Sequence, residues 1–538
     1  MADSRTSGVG GVELAVQGGA AHAIERVSTA TAAFVGRALK GPVNQPVLIN
    51  SFAEFQHHFG GLWQPSTLSY AVEQFFENGG SKAYIVRVVN GARPPTIALK
   101  SPVGPLTFIG LNPGSREYLR ASVDYDGIAE NEPDRFNLVL QRVRSAGSEL
   151  IQDQEIFRRI SADQQSGRWV PDMLAESRLV RVVGAPPTQR PDRSSGGPGG
   201  NAVGYAVSNP DGDDGGPITD YDVIGSAIDK TGVFALLASF NFLCIPPLAR
   251  EHDVGSSTLL VAAKFCRERH AMLIVDPPMS WVSPRTALDA LRTWPFRSDN
   301  AMMYFPRVQA FDRLRGRVET FASCGAAAGM IARCDETWPV WAAAETDDAV
   351  LRPGLRPAVP VSEAERQRLM QAGINVLASV RSSYRSGMSP RTLAPGGRGT
   401  SDWKYLSARR LALFVAASVE QGTRWVLLEP NTQLTWEKAR MQVDAFLHGL
   451  AEGGAFSGAT AEENYFVICD ERVNRPVPVA EGKFNLLYGF ATTKPGEFDT
   501  WLVTHQAGGG KVRPVTVNRF ATSRERVGWE IETSILRG

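Results

Sequence analysis

Histidine is scarce in this chain, seven residues among 538, and no two stand at metal-ligand spacing. His57 and His58 are neighbours, so on a helix they point about 100° apart and read as surface residues. Five cysteines (244, 266, 324, 334 and 469) form no Cys-x-x-Cys pair. Three lie in apolar runs, so buried thiols and folding in a reducing cytosol are expected. No His-Glu-x-x-His, Gly-x-Ser-x-Gly or Gly-x-Gly-x-x-Gly occurs, which leaves the zincin, hydrolase and dinucleotide fingerprints without a carrier. Excess charge is missing too. The 57 Lys and Arg balance 56 Asp and Glu to a net +1, so no global field draws the chain to nucleic acid or an acidic membrane. Near neutrality favours association, a condition that a self-assembling protein can exploit. The N-terminus "MADSRTSGVGG" is polar and Gly-rich, unlike a signal peptide. No apolar stretch approaches the ~20 residues of a membrane span, so direct membrane insertion is not expected.

One stretch asks for a nucleotide. In "AAFVGRALKGPV" an apolar run ends at Gly36, and Gly41 follows at the distance of a phosphate-binding loop. That loop needs Lys and then Ser or Thr after its second glycine. Here Pro42 and Val43 follow; Pro42 has no N–H to offer a phosphate. The segment reads as a turn. Ser51 and Glu54 then match a capping box, with Phe52, Phe55 and Phe59 on one face of a short helix. A second helix over 67–78 precedes the buried strand "KAYIVRVV" (82–89).

The organisation predicted is α/β and multidomain. Residues 1–25 form an N-terminal arm whose "GVELAV" alternates Val12, Leu14 and Val16 on one side. A lone strand is unstable in water, so it must pair elsewhere. Residues 26–92 and 217–355 make a middle α/β domain. Within it "NFLCIPP" and "AMLIVDPP" are buried strands flanking an amphipathic helix, a βαβ unit. Between them, 93–216 reads as an inserted, mostly β domain ending in a Gly-rich linker or loop. Residues 356–505 form a C-terminal α/β domain with strands at 424–430, 465–470, 484–490 and 497–503. Residues 506–538 form a C-terminal arm beyond Gly508–Gly510. Phe498, Trp501 and Val503 sit on the last strand before that hinge, and the solitary terminal strands are expected to be intermolecular.

Chemistry is thinly represented. Asp276 ends a buried strand, where open α/β sheets place ligand contacts, although Asp-Pro-Pro also makes a turn there. An enzyme site near Cys244 and Asp276 is one alternative, but no convergent acid, base and nucleophile set accompanies them. Carbohydrate or receptor binding by 93–216 is another. Asp211, Asp213 and Asp214 cluster among glycines, off the EF-hand spacing. No catalytic, cofactor or metal residue is assigned.

The segments "ERVSTATAAFVGRALKGPVNQPVLINSFAEFQHHFGG", "LSYAVEQFFENGGSKAYIVRV", "LIVDPP", "AAAGMIARCDETWPVW", "AGINVL", "RTLA", "TRWVLLEPNTQLTWEKARMQVDAFLHGL", "GATAEENYFVICD" and "KPGEF" resemble, in order, the tail sheath proteins of contractile phage tails and injection systems. Pro339 replaces the glycine usual before Val-Trp, "SGMSP" (386–390) replaces an aromatic-Gly segment, and the tail beyond about 505 is longer than usual. The resemblance implies a structural subunit and no cofactor. The C-terminal domain would be innermost, the 93–216 insertion outermost, and the terminal arms would join neighbours by strand addition. Implied partners are further copies of the chain in a helical polymer, an inner tube protein, and baseplate and terminator proteins, with no nucleic acid. Assembly would occur in the bacterial cytoplasm, and the product would be part of a virion tail or injection particle. On the 433–452 helix, Trp436, Ala439, Val443, Phe446, Leu447 and Leu450 share a buried face expected against 424–430. Lys438 and Arg440 are then candidates to face the tube.

Overall fold

The computed structural model describes residues 23–194, 204–224, 237, 239–342, 346, 348–379, 389–395, 402–474, 482–507 and 509–515. The fold is mixed α/β with several sheets, and the chain divides into two compact units, 28–410 and a second that joins 1–27 to 411–538.

A seven-stranded sheet organises the first unit, running from Asn375–Val376 through Ala301–Phe305, Met272–Val275, Phe242–Cys244, Ala32–Gly36 and Ala83–Arg87 to Val47–Ile49. All neighbours are parallel except the last, an antiparallel edge. Apolar residues fill its inner strands because helices cover parallel sheets on both faces: Phe34, Ile85, Leu243 and Leu273 are fully buried. Ser51 caps the helix Phe52–Phe59, its Oγ accepting from the Glu54 N–H. The Glu54 carboxylate accepts from Asn50 N (2.9 Å), one residue earlier than a capping box places it. Helix Thr67–Glu77 packs on helix Cys324–Thr337. Gly325 and Gly329 make that crossing close: a β-carbon on either would overlap the Ala71 or Phe75 carbonyl.

The residues between the two halves of this sheet form separate antiparallel sheets. One runs Ala206–Val207, Tyr118–Asp124, Arg135–Val143, Ile151–Ser161; the other runs Thr96–Leu99, Leu106–Gly110, Val180–Val183. Their facing side chains, among them Phe108, Leu119, Phe136 and Leu138, make a core of their own. The boundary expected at 356 is corrected. Asn375–Val376 extends the parallel sheet beside Ala301–Phe305, helix Glu363–Gln371 packs on helix Pro284–Leu291, and 356–410 belongs to the first unit. The stretch around 356 carries Pro353, Pro357 and Pro360, yet a two-residue strand beyond it carries the chain back onto the same sheet.

The second unit has an antiparallel sheet, Tyr465–Ile468, Phe484–Phe490, Asp499–Gln506, Gly509–Pro514, in chain order. Helix Gln433–Glu452 packs on its first strand. The strand predicted at 424–430 is absent; Arg424–Leu428 is a 3-10 turn that leaves Leu428 89% exposed. Its apolar run matched a buried strand in composition only. Leu406–Leu428 is also the one described helical stretch long and apolar enough to compare with a membrane span, contrary to the expectation of none, and 56% of its apolar 18-residue window is buried.

Candidate functional site

The Gly36–Gly41 loop is organised around a cation. Arg87, at the end of its strand and 1% exposed, donates Nε to the Ala38 carbonyl (3.0 Å) and Nη1 to the carbonyls of Gly41 (2.7 Å) and Pro113 (2.9 Å). A phosphate-binding loop aims N–H donors at an anion; this one aims carbonyls at a guanidinium. Gly41 has φ +104°, and the His58 carbonyl and the Phe59 ring occupy the space a β-carbon would need, so the turn needs glycine for its backbone and for space. Burial lowers the Arg87 pKa to about 10. Nothing in the sequence separated Arg87 from an ordinary end-of-strand residue.

Asp276 does lie at the C-terminal end of a parallel strand, buried, and its task is to cap a helix. Its Oδ1 accepts from the N–H groups of Ser323 (2.6 Å) and Cys324 (2.8 Å), at the start of helix Cys324–Thr337. Burial raises its pKa, against the pull of Arg307 and these hydrogen bonds. Cys244 Sγ lies 3.8 Å from the Cys324 carbonyl. Burial pushes the Cys324 thiol well up, away from the thiolate a nucleophile requires. Among the described residues no histidine bonds to either thiol or to Asp276. The structure joins Cys244 and Asp276 through Cys324, in an arrangement that fixes a helix.

Asp211, Asp213 and Asp214 are spent on loop geometry. Asp211 accepts from Thr96 N (2.9 Å), Asp213 from Gly215 N (2.6 Å) and Asp214 from Ser115 N (2.8 Å). Among the described residues no group of three His, Cys, Asp or Glu is placed to hold a metal ion.

The assembly candidates fare unevenly. Val12, Leu14 and Val16 lie outside the described residues, as does the tail from 516. Phe498, Trp501 and Val503 are corrected. Trp501 and Val503 lie on Asp499–Gln506, which pairs with Phe484–Phe490 on one side and Gly509–Pro514 on the other, within the chain. Both are buried, and Phe498 packs edge-on against Phe466, ring centroids 5.1 Å apart. The strand alternates because it lies inside a sheet, and the Gly-rich hinge behind it turns a hairpin. The sheet's outer strands are Gly509–Pro514, mostly exposed, and Tyr465–Ile468, buried.

On helix Gln433–Glu452 the expected inward face is buried, with Phe446 half-buried against Phe414. It packs on Tyr465–Ile468 rather than on a 424–430 strand. Lys438 and Arg440 diverge. Lys438 is 44% exposed and 3.1 Å from the Glu429 carboxylate. Arg440 is half-buried and lines a cleft of ≈ 430 Å³ with Asp470 and Glu471. Lys438 shares the outward stripe with exposed Leu434, Met441 and Ala445; Leu434 and Met441 are 63% and 64% exposed. Sequence reasoning missed these two, although their seven-residue spacing was readable.

The geometry has relatives. No protein-family model matches the chain, and no curated protein sequence matches it either. Solved structures do. The sheath tail protein Lin1278 from Listeria innocua superposes with TM-score 0.57 at 12% identity, over 90% of this chain and 96% of that one. The sheath complex of PVC, an extracellular contractile injection system, in its contracted state gives TM-score 0.50 at 15% identity, over 92% and 97%. The fold is that of contractile sheath proteins, across nearly the whole chain.

Proposed function

We propose that this chain is the structural subunit of a helical contractile sheath that polymerises around an inner tube and drives it through a target envelope on contraction. One observation carries the reading: the fold agreement spans 90% or more of both chains, so no domain is left over for a separate catalytic task. A head-to-tail contact that does not close into a ring generates such a filament. Contraction then draws on a small free-energy gap per subunit between two packings, summed over many copies.

In this reading the 11–16 strand adds to an open sheet edge of a neighbour, where main-chain hydrogen bonds demand little of side-chain identity. The Gly509–Pro514 edge suits that role. The C-terminal unit faces the tube through the Leu434, Lys438, Met441 stripe, with Arg440 about 120° round the helix as a flanking charge. Baseplate and terminator proteins would bind the two ends of the polymer, assembled in a bacterial cytoplasm and carried in a virion tail or injection particle. The middle α/β domain (26–92 with 217–355) and the 93–216 insertion would lie farther out.

Electron microscopy of the purified chain tests the first step: long hollow tubes are expected, and compact particles under all conditions would refute it. Deleting residues 1–18 should leave a folded subunit that makes no tubes. Lys438→Glu with Met441→Asp should spare polymerisation of sheath alone yet abolish assembly of extended sheath on tube; normal extended particles would remove the stripe from the contact.

A further inference from the structure

Away from these surfaces, the first unit has a cleft of ≈ 540 Å³ with an unbalanced lining. Arg292, Arg297, Arg368, Arg391 and Lys404 line it, and no Asp or Glu does. The five come from separate places. Arg292 caps the C-terminus of helix Pro284–Leu291, and Arg368 lies in the last turn of helix Glu363–Gln371. Arg391 bridges to Tyr405, next to Lys404. Folding gathers cations dispersed along the sequence.

Ordinary structural duties account for one of the five. Arg297 donates to the carbonyls of Ala372 (3.3 Å) and Leu291 (3.2 Å), tying two helix C-termini together. A cation there is favourable because those carbonyls carry partial negative charge. The other four make no ion pair with any described carboxylate. The nearest acid along the first helix, Asp289, faces Arg285 at 3.9 Å. Arg391 and Lys404 converge on one ring, their charged groups 5.3 Å and 5.1 Å from the Tyr405 centroid. Arg391 Nε is buried with no acceptor. Arg391 and Lys404 are half-buried and share one ring, so their like charges repel, and a buried donor without an acceptor is unfavourable. An oxyanion in the cleft would relieve both.

We propose that this cleft binds a diphosphate group, free or as the diphosphate of a nucleotide. Planar guanidiniums engage phosphate oxygens in pairs, while Lys404 contributes a point charge. A carboxylate-free wall admits a multiply charged anion without repulsion. Two phosphoryl groups let two sets of cations, Arg292 and Arg368 from the packed helices and Arg391 and Lys404 at Tyr405, each meet one.

The test is calorimetric titration of the full chain at low salt with pyrophosphate, ADP and adenosine. Pyrophosphate should saturate one site per chain, and its affinity should fall several-fold as salt rises to about 0.5 M. Adenosine should not bind. ADP tighter than pyrophosphate would identify a nucleotide; equal or weaker binding, a free diphosphate. Arg292→Ala with Arg368→Ala alters only exposed side chains and should weaken pyrophosphate at least tenfold with an unchanged circular dichroism spectrum. Arg391→Gln should reproduce that loss. No saturable pyrophosphate binding up to about 1 mM, or equal affinity in the double variant, would overturn the proposal.

Discussion

Arg410 and Asp335 form a two-pronged ion pair shut away from water: Nη1 lies 3.0 Å from Oδ1, and the side chains are 3% and 2% exposed. Asp335 stands on helix Cys324–Thr337, and the Arg410 guanidinium also rests on the Phe242 ring at 5.2 Å. Removing one partner of such a pair strands the other charge in a dry site. Arg410→Met should therefore cost about 3–5 kcal/mol in chemical denaturation, and adding Asp335→Leu should recover much of it, because two apolar groups can replace a buried pair.

Glycine to alanine inside a helix ordinarily stabilises by up to about 1 kcal/mol. Gly325→Ala should reverse that sign. Its methyl group would enter the space of the Ala71 carbonyl, and overpacking of this kind costs about 1–3 kcal/mol. Gly449→Ala, where nothing lies within 4 Å of the added carbon, is the matched control and should raise the melting temperature. Similar shifts for both would mean the helix crossing is not tight.

His505 is fully buried, its Nε2 2.8 Å from the Thr423 hydroxyl. Burial lowers its pKa to about 4, with Glu420 opposing. The unfolded chain binds this proton near pH 6.5 while the folded one refuses it until about 4, so stability is complete above 6.5 and declines as pH falls through that window. The loss is on the order of 3 kcal/mol. Denaturation midpoints from pH 7 to 4 should drop less in His505→Gln than in the parent chain.

All five cysteines are unpaired and buried. A thiol reagent should therefore leave the native chain nearly untouched and find five thiols after denaturation without reductant. Disulfide-linked peptides in a quantitative digest would contradict this.

What the sequence disclosed followed from period and composition. The strands at Ala32–Gly36, Ala83–Arg87, Phe242–Cys244 and Met272–Val275 were readable because strands buried on both faces are apolar throughout. Arg424–Leu428 failed by the same rule, since an apolar run does not say whether water or protein will meet it. Asp499–Gln506 was read as an arm because alternation marks a strand without naming its partner; Phe484–Phe490 precedes it and Gly509–Pro514 folds back on it as a hairpin. The candidate site suffered most where function depends on gathering. Arg87 and the loop it holds are 46 positions apart at Gly41, and the cations of the basic cleft share no motif.

The interleaving of the parallel sheet bears on how a ribosome can deliver this protein. Phe34 pairs with Cys244, about 210 positions later in synthesis, and the closing strand waits for Val376. At about 5–20 residues per second, Ala32–Gly36, which has Ala83–Arg87 on one side, waits tens of seconds for Phe242–Cys244 on the other. The antiparallel sheets between them contact mainly their own sequence neighbours and can close first, which shortens the loop that the Phe34–Cys244 pairing must bridge. Nascent chains stalled before residue 242 should thus expose the open edge of Ala32–Gly36 to chaperones while already protecting 135–161 from protease.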